Sequence, residues 1–156
     1  MLQTDDVAML VAQARALLEG ERDLIANAAN LAALVAMMVP DLNWVGVYLR
    51  RGDELVLGPF HGKPATTRIA LGAGVCGTAA AERRTVVVPD VHAFPGHIAC
   101  DPASRSEIVV PLRCGGDVIG VFDVDSPLAE RFGAAERALF EELAALLVAG
   151  SDVTRA

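Results

Sequence analysis

Residues 107–125 read EIVVPLRCGGDVIGVFDVD. Two apolar, β-branched runs, Ile108-Val109-Val110 and the stretch from Val118 to Asp125, flank the tetrapeptide Cys114-Gly115-Gly116-Asp117. A glycine pair between two such runs is a hairpin signal, because a tight turn needs backbone angles that glycine reaches without steric cost. The two runs are therefore read as neighbouring antiparallel strands, with Ser126-Pro127 ending the second.

Working outward, a second hairpin is legible upstream. Asn43 to Leu49 forms one strand, Arg51-Gly52-Asp53 the turn, and Glu54 to Leu57 the return strand, broken at Gly58-Pro59. Thr67 to Ala70 is a further short strand, Thr78 to Glu82 a short helix, and Thr85-Val86-Val87-Val88 another strand. Helical spacing marks the two ends of the chain. Leu10, Ala14, Leu17 and Leu18 share one face of a first helix capped by Asp5 or Asp6, and Gly20 interrupts it. Leu24, Ala28, Leu31, Leu34, Val35 and Met38 share a face of a second, from about residue 22 to 38, which Pro40 ends. Leu139, Leu143, Leu146 and Leu147 mark a closing helix over about residues 133–149. Two helices, about six short strands with clear hairpins, and a last helix give no βαβ alternation. The pattern predicts an α+β fold with an antiparallel sheet, in a single domain over residues 1–156.

Composition narrows the function. The 156 residues are 53% hydrophobic and 21% charged, with a formal charge of −7. No basic stripe exists to meet a phosphate backbone, so nucleic acid is a poor partner. The acidic start MLQTDD is no secretion signal, and the longest apolar run, from Leu31 to Val39, is too short to cross a bilayer. Three cysteines at irregular spacing read as thiols of a cytoplasmic protein, not as a disulfide framework.

Between the Val88 strand and Glu107 lie close to twenty residues without helical or strand period. A compact domain seldom carries so long a loop unless it serves as a lid or binding loop. Phe94, Ile98 and prolines 89, 95 and 102 make it apolar and stiff. It holds His92, His97, Cys100, Asp101 and Glu107. Cys100 has two readings. A free cysteine is commonly a small buried hydrophobe, and Ile98 and Ala99 suit that. The loop, and the neighbouring His97, which if protonated would lower the thiol pKa, suit a nucleophile; Cys100 is taken as the nucleophile.

Asp123 and Asp125 lie two apart on a strand and so share a face, which Ile119 and Val121 are expected to extend as an apolar surface. Like charges there raise at least one carboxyl pKa, as a general acid at neutral pH requires. Asp125 alone also fits a turn cap before Pro127. Trp44 and Tyr48, the one Trp and one Tyr of the chain, are in phase with Gly46 between them, as a core pair or as an aromatic wall for a ligand. Cys76 lies in the glycine-bracketed stretch GAGVCG of residues 72–77, which matches neither nucleotide-binding glycine fingerprint. No paired C-x-x-C exists, which argues against a zinc site built from the cysteines and histidines. Cys114 reads as a hairpin residue.

With those residues in place the chain resembles a known family. NWVGVYL at 43–49, GPFHGKP at 58–64, GVCGTA at 74–79, VPDVHAFPGHIACD at 88–101 and SEIVVP at 106–111 resemble the free methionine-(R)-sulfoxide reductases, small GAF-domain enzymes. The resemblance runs from about residue 43 to 127. It implies a central antiparallel sheet with the terminal helices on one face and a loop-covered pocket on the other. It implies an oxidoreductase in which a thiolate attacks the sulfoxide sulfur of free L-methionine-(R)-sulfoxide, the resulting sulfenic acid condenses with a second thiol, and thioredoxin reduces the disulfide, with no cofactor or metal. By position, Cys100 matches the nucleophile. Glu107, Asp123 and Asp125 match the carboxylates that hold the ammonium and protonate the oxygen, and Trp44 and Tyr48 match the aromatic wall. The family commonly has a further cysteine where this chain has Thr66, so Cys76 becomes the first choice as resolving thiol and Cys114 the second. A homodimer is a weaker implication of the same likeness. A GAF domain that only senses a small ligand is the competing reading.

Overall fold

The computed structural model describes residues 2–97 and 101–153. Six strands form one sheet: β1 (Trp44–Arg51), β2 (Glu54–Gly62), β3 (Arg68–Ala70), β4 (Val86–Val88), β5 (Ser106–Cys114) and β6 (Asp117–Ser126). They are ordered β3-β2-β1-β6-β5-β4, with every neighbouring pair antiparallel. Four helices accompany them: α1 (Thr4–Leu18), α2 (Leu24–Met38), α3 (Gly74–Glu82) and α4 (Ala134–Ala149). Both hairpins read from the sequence are present.

The two faces of the sheet carry separate cores. Val45, Val47 and Leu49 of β1, Ile108, Val110 and Leu112 of β5, and Phe122 and Val124 of β6 pack under α1, α2 and α4. The helices supply apolar stripes at helical spacing, among them Leu10 and Ala14, Leu24, Ala28 and Leu31, and Leu139, Leu143 and Leu147. Trp44, Tyr48, Val109 and Val121, which point the other way, pack with α3 through Val75, Cys76, Ala79 and Ala80. The alternating strands are thus buried on both sides, and the smaller core under α3 is the one that opens into a pocket.

Helix ends follow local chemistry, with small departures from expectation. Asp23 caps α2 by accepting the N–H of Ala26 at 2.9 Å. Gln3, not Asp5 or Asp6, is the N-cap of α1, and the two aspartates sit in its first turn, where they still face the positive end of the helix dipole. Glu136 accepts the Gly133 N–H at the start of α4 and pairs with buried Arg131, which also donates to the Pro40 carbonyl.

Three readings need correction. Gly58-Pro59 does not break β2: the register slips between Gly46 and Tyr48 of β1, so β2 carries one extra residue as a bulge and runs on to Gly62. A second slip, between Leu112 and Arg113, makes Ile119 the extra residue of β6. Ile119 therefore packs on the core of the terminal helices, while Val121, with Val118 beyond the bulge, continues the face of Asp123 and Asp125. Lastly, α3 begins at Gly74, four residues before the expected Thr78, and takes in Cys76 and Gly77.

Candidate active site

Strand pairing gathers the acidic residues. Glu107 on β5 stands directly opposite Asp125 on β6, and Val109 opposite Asp123. All three carboxyl groups point to the α3 side of the sheet, and each residue is buried. Like charges placed opposite each other across a ladder oppose folding, so this arrangement is not explained by stability.

Around them is a small pocket lined by Tyr48 and Ile69, by Ala73 to Cys76 at the start of α3, by His97 and Ser104 of the long loop, and by the three acids. Cys76, Glu107, Asp123, Asp125 and Tyr48, five residues singled out from the sequence, thus meet at one place. Trp44 does not line it. Its ring lies behind, stacked 6.0 Å from Tyr48 and 5.2 Å from Phe60, with the indole N–H donating to the Lys63 carbonyl at 3.1 Å. Tyr48 donates its hydroxyl to the Thr66 carbonyl at 2.9 Å. The two aromatics pin the β2–β3 connection, and only Tyr48 presents a surface to the pocket. Gly46 makes the stack possible, since a Cβ there would stand 2.7 Å from Trp44 Cη2.

Burial governs the electrostatics. It pushes the Glu107 carboxyl well above the usual range, with Asp125 adding to the rise. It raises Asp123 likewise, reinforced by the Glu107 charge and the hydrogen bond between them. The Cys76 thiol is driven up by burial and then by Asp123, Glu107 and Asp125. Each of these shifts favours the protonated form of its group. Asp123 Oδ1 is buried with no hydrogen-bond partner among the described residues. His97 Nε2 lies 3.5 Å from Glu107 Oε1, and burial lowers its pKa. The shift disfavours the imidazolium that would lower a neighbouring thiol pKa.

Cys100 lies outside the described residues. Its sequence neighbours are held firmly on one side: Asp101 accepts the Ala103 N–H at 2.9 Å and the Asn43 amide at 3.0 Å, and these bonds keep its carboxyl below the usual range. Asn43 donates again to Ser104 Oγ at 2.8 Å. Elsewhere the loop forms one 3₁₀ turn, Val91–Ala93, and is laced to the sheet through Val91 N–H to Arg105 O at 2.8 Å and Arg105 N–H to Ser126 O at 2.7 Å.

Cys76, expected in a tight glycine-bracketed loop, lies in the first turn of a helix and is 5% exposed. Cys114 is half-buried at the β5–β6 turn, seven residues along β5 from Glu107, hence about 23 Å away along an extended strand. Sequence reasoning missed Ser104, Ile69, Phe60 and the clamp made by Asn43. Asn43 opens the quoted first strand and Phe60 lies in GPFHGKP, but neither carries a local signal for its partner.

A buried acidic cluster beside a thiol, in a pocket between an antiparallel sheet and a short helix, defines a ligand-binding α+β domain of the GAF type, and the GAF domain family model matches residues 8–149. The chain belongs to this family, and within it to the free methionine-R-sulfoxide reductases. The free methionine-R-sulfoxide reductase of Escherichia coli (strain K12) is 46% identical over 147 residues, covering 94% of this chain and 89% of that protein. The crystal structure of a putative GAF sensor protein from Burkholderia vietnamiensis has a TM-score of 0.93 at 56% identity, covering 100% of both chains. The X-ray structure of a free methionine-R-sulfoxide reductase from Neisseria meningitidis in complex with its substrate has a TM-score of 0.92 at 42% identity, covering 99% of this chain and 95% of that one.

Proposed function

We propose that this chain reduces free L-methionine-(R)-sulfoxide to L-methionine by thiol chemistry, with thioredoxin as its reductant in a reducing cytoplasm. The observation that carries the reading is the convergence of three buried carboxyl groups and a thiol on one small pocket. The reductase relatives from Escherichia coli and Neisseria meningitidis support the substrate.

A sulfoxide oxygen leaves poorly until it is protonated, and a carboxyl group whose pKa burial has raised can supply that proton at neutral pH. Glu107 and Asp123 are in that condition. The Cys100 thiolate attacks the sulfoxide sulfur, the oxygen takes the carboxyl proton and passes to the cysteine as a sulfenic acid, and methionine leaves reduced by two electrons. The Cys76 thiol then attacks the sulfenic sulfur. A disulfide forms, water leaves, and a thioredoxin dithiol restores both thiols. His97 and Ser104, which flank Cys100 in sequence, both line the pocket.

The free amino acid brings two further charges. Its ammonium suits Asp125 and whichever neighbouring carboxyl remains ionised. Its carboxylate suits the start of α3, whose first residues line the pocket and whose dipole favours an anion. Tyr48 offers an apolar ring to the methyl-sulfur end. A peptide-bound methionine sulfoxide lacks the free charges and gains nothing from this arrangement.

A GAF sensor that binds without chemistry accounts for the pocket but leaves carboxyls of raised pKa beside a thiol without a task. One assay separates the two: NADPH consumption through thioredoxin reductase and thioredoxin on adding free methionine-(R)-sulfoxide. Turnover that Cys100→Ser abolishes is the expected result, with a Cys76–Cys100 peptide found after one equivalent of substrate. Binding without NADPH consumption would leave the sensor reading in its place, and a Cys100–Cys114 peptide would remove Cys76 as the resolving thiol.

A further inference from the structure

Cys76, Glu107 and Asp123 each offer one ligand atom, and these atoms all lie within 4.8 Å of one another. They come from three different elements, the first turn of α3, β5 and β6, so no sequence spacing announces them. All three residues are buried, and Asp123, 5% exposed, has its Oδ1 without a hydrogen-bond partner among the described residues. The oxygen belongs to a pocket-lining side chain. An unpaired buried carboxylate oxygen is costly, and a cation in the pocket would satisfy it.

We propose that the reduced protein binds one soft divalent cation of the Zn²⁺ class through Cys76 Sγ, Glu107 and Asp123, with His97 as the fourth donor. His97 Nε2 is already 3.5 Å from Glu107 Oε1. Zinc takes sulfur at about 2.3 Å and carboxylate oxygen at about 2.0–2.2 Å, which asks the present cluster to contract by roughly 1 Å. Four protein donors fill the tetrahedral shell and leave no open position for substrate. The thiolate selects against Mg²⁺ and Ca²⁺, which prefer all-oxygen ligands. Thiol and carboxyl ligands bind a dication in their deprotonated forms, so binding releases protons and tightens as pH rises. Occupancy would exclude an amino-acid ammonium from the same carboxylates and withdraw Cys76 from redox service. The site is thus an inhibitory metal site, and its existence does not depend on the sulfoxide reading.

The test uses the full reduced chain, stripped with a chelator and titrated with Co²⁺. One equivalent is expected to give a thiolate-to-cobalt charge-transfer band and the ligand-field bands of four-coordinate cobalt, both bleached by Zn²⁺. Cys76→Ser removes the charge-transfer band and Cys114→Ser keeps it. Outer-shell changes alone weaken metal sites by about 10–100-fold, so Asp123→Asn, which removes a ligand, is expected to weaken Co²⁺ by at least about 100-fold. No band, or one that survives Cys76→Ser or needs Cys114, overturns the proposal. If Cys76→Ser does not fold, the unaltered protein still answers: Zn²⁺ must slow alkylation of Cys76, mapped by peptide mass, and leave Cys114 unaffected. Equal alkylation with and without Zn²⁺ overturns the site. Absence of sulfoxide turnover alongside a normal cobalt spectrum would sink the reductase reading and leave this one standing.

Discussion

Replacing Gly46 with alanine adds one methyl group at the point where β1 passes under the aromatic stack. The added Cβ would lie 2.7 Å from Trp44 Cη2 and closer still to Phe60 Cβ, with the Phe60 backbone at 3.0 Å. Carbon atoms pack comfortably at about 3.5–4.0 Å. The neighbours must therefore give way by close to 1 Å, and two of them are tied down. Trp44 is fixed by its bond to the Lys63 carbonyl, and Phe60 is the β2 residue paired with Gly46 itself. Gly46 is not at positive φ, so the cost is steric and not conformational. Overpacking of this kind costs about 1–3 kcal/mol. For a domain of this size each kcal/mol moves the melting temperature by about 2–4 °C, which places the expected loss between about 2 and 12 °C. Trp44 is the sole tryptophan, so thermal melts followed by its fluorescence read the site and the global transition together. A shifted native emission accompanies the loss, and turnover falls because Tyr48 stacks on the displaced ring. An alanine variant with unchanged midpoint, emission and turnover would refute the claim that the glycine makes room for the aromatic stack.

From the Glu107 and Asp123 carboxyls, stability is expected to fall as pH rises from the ordinary carboxyl range through their raised folded-state pKa values. Glu107 and Asp123 have folded-state pKa values raised above their unfolded ones, so the folded state holds more protons between the two, and their favourable contribution is lost as they ionise. Asp123→Asn removes one of these titrations, and chemical denaturation across a pH series should show a shallower slope; an unchanged slope would mean that folding does not raise the Asp123 pKa. Asn43→Ala removes the amide that donates to Asp101 and Ser104. It is expected to cost about 1–3 kcal/mol and to lower turnover further than the stability loss accounts for. Turnover unchanged at a temperature where the variant is folded would show that the clamp serves only the fold.

The sequence alone determined the elements and their faces wherever the information was local. Glycine turns marked both hairpins, helical spacing marked the terminal helices, and the two-residue spacing put Asp123 and Asp125 on one side of β6. Trp44 and Tyr48 were in phase for the same reason. Local pattern failed at Gly58-Pro59 and at Ile119, because a bulge is a property of two paired strands and inverts the period of one of them. It failed at Cys76, where glycines that favour a loop were overridden by packing of α3 on the sheet. The site itself was decided in three dimensions. Glu107 faces Asp125 only through the β5–β6 register, Asn43 reaches Asp101 across 58 residues, and the pKa values of Glu107, Asp123 and Cys76 are raised by a burial that no single segment encodes.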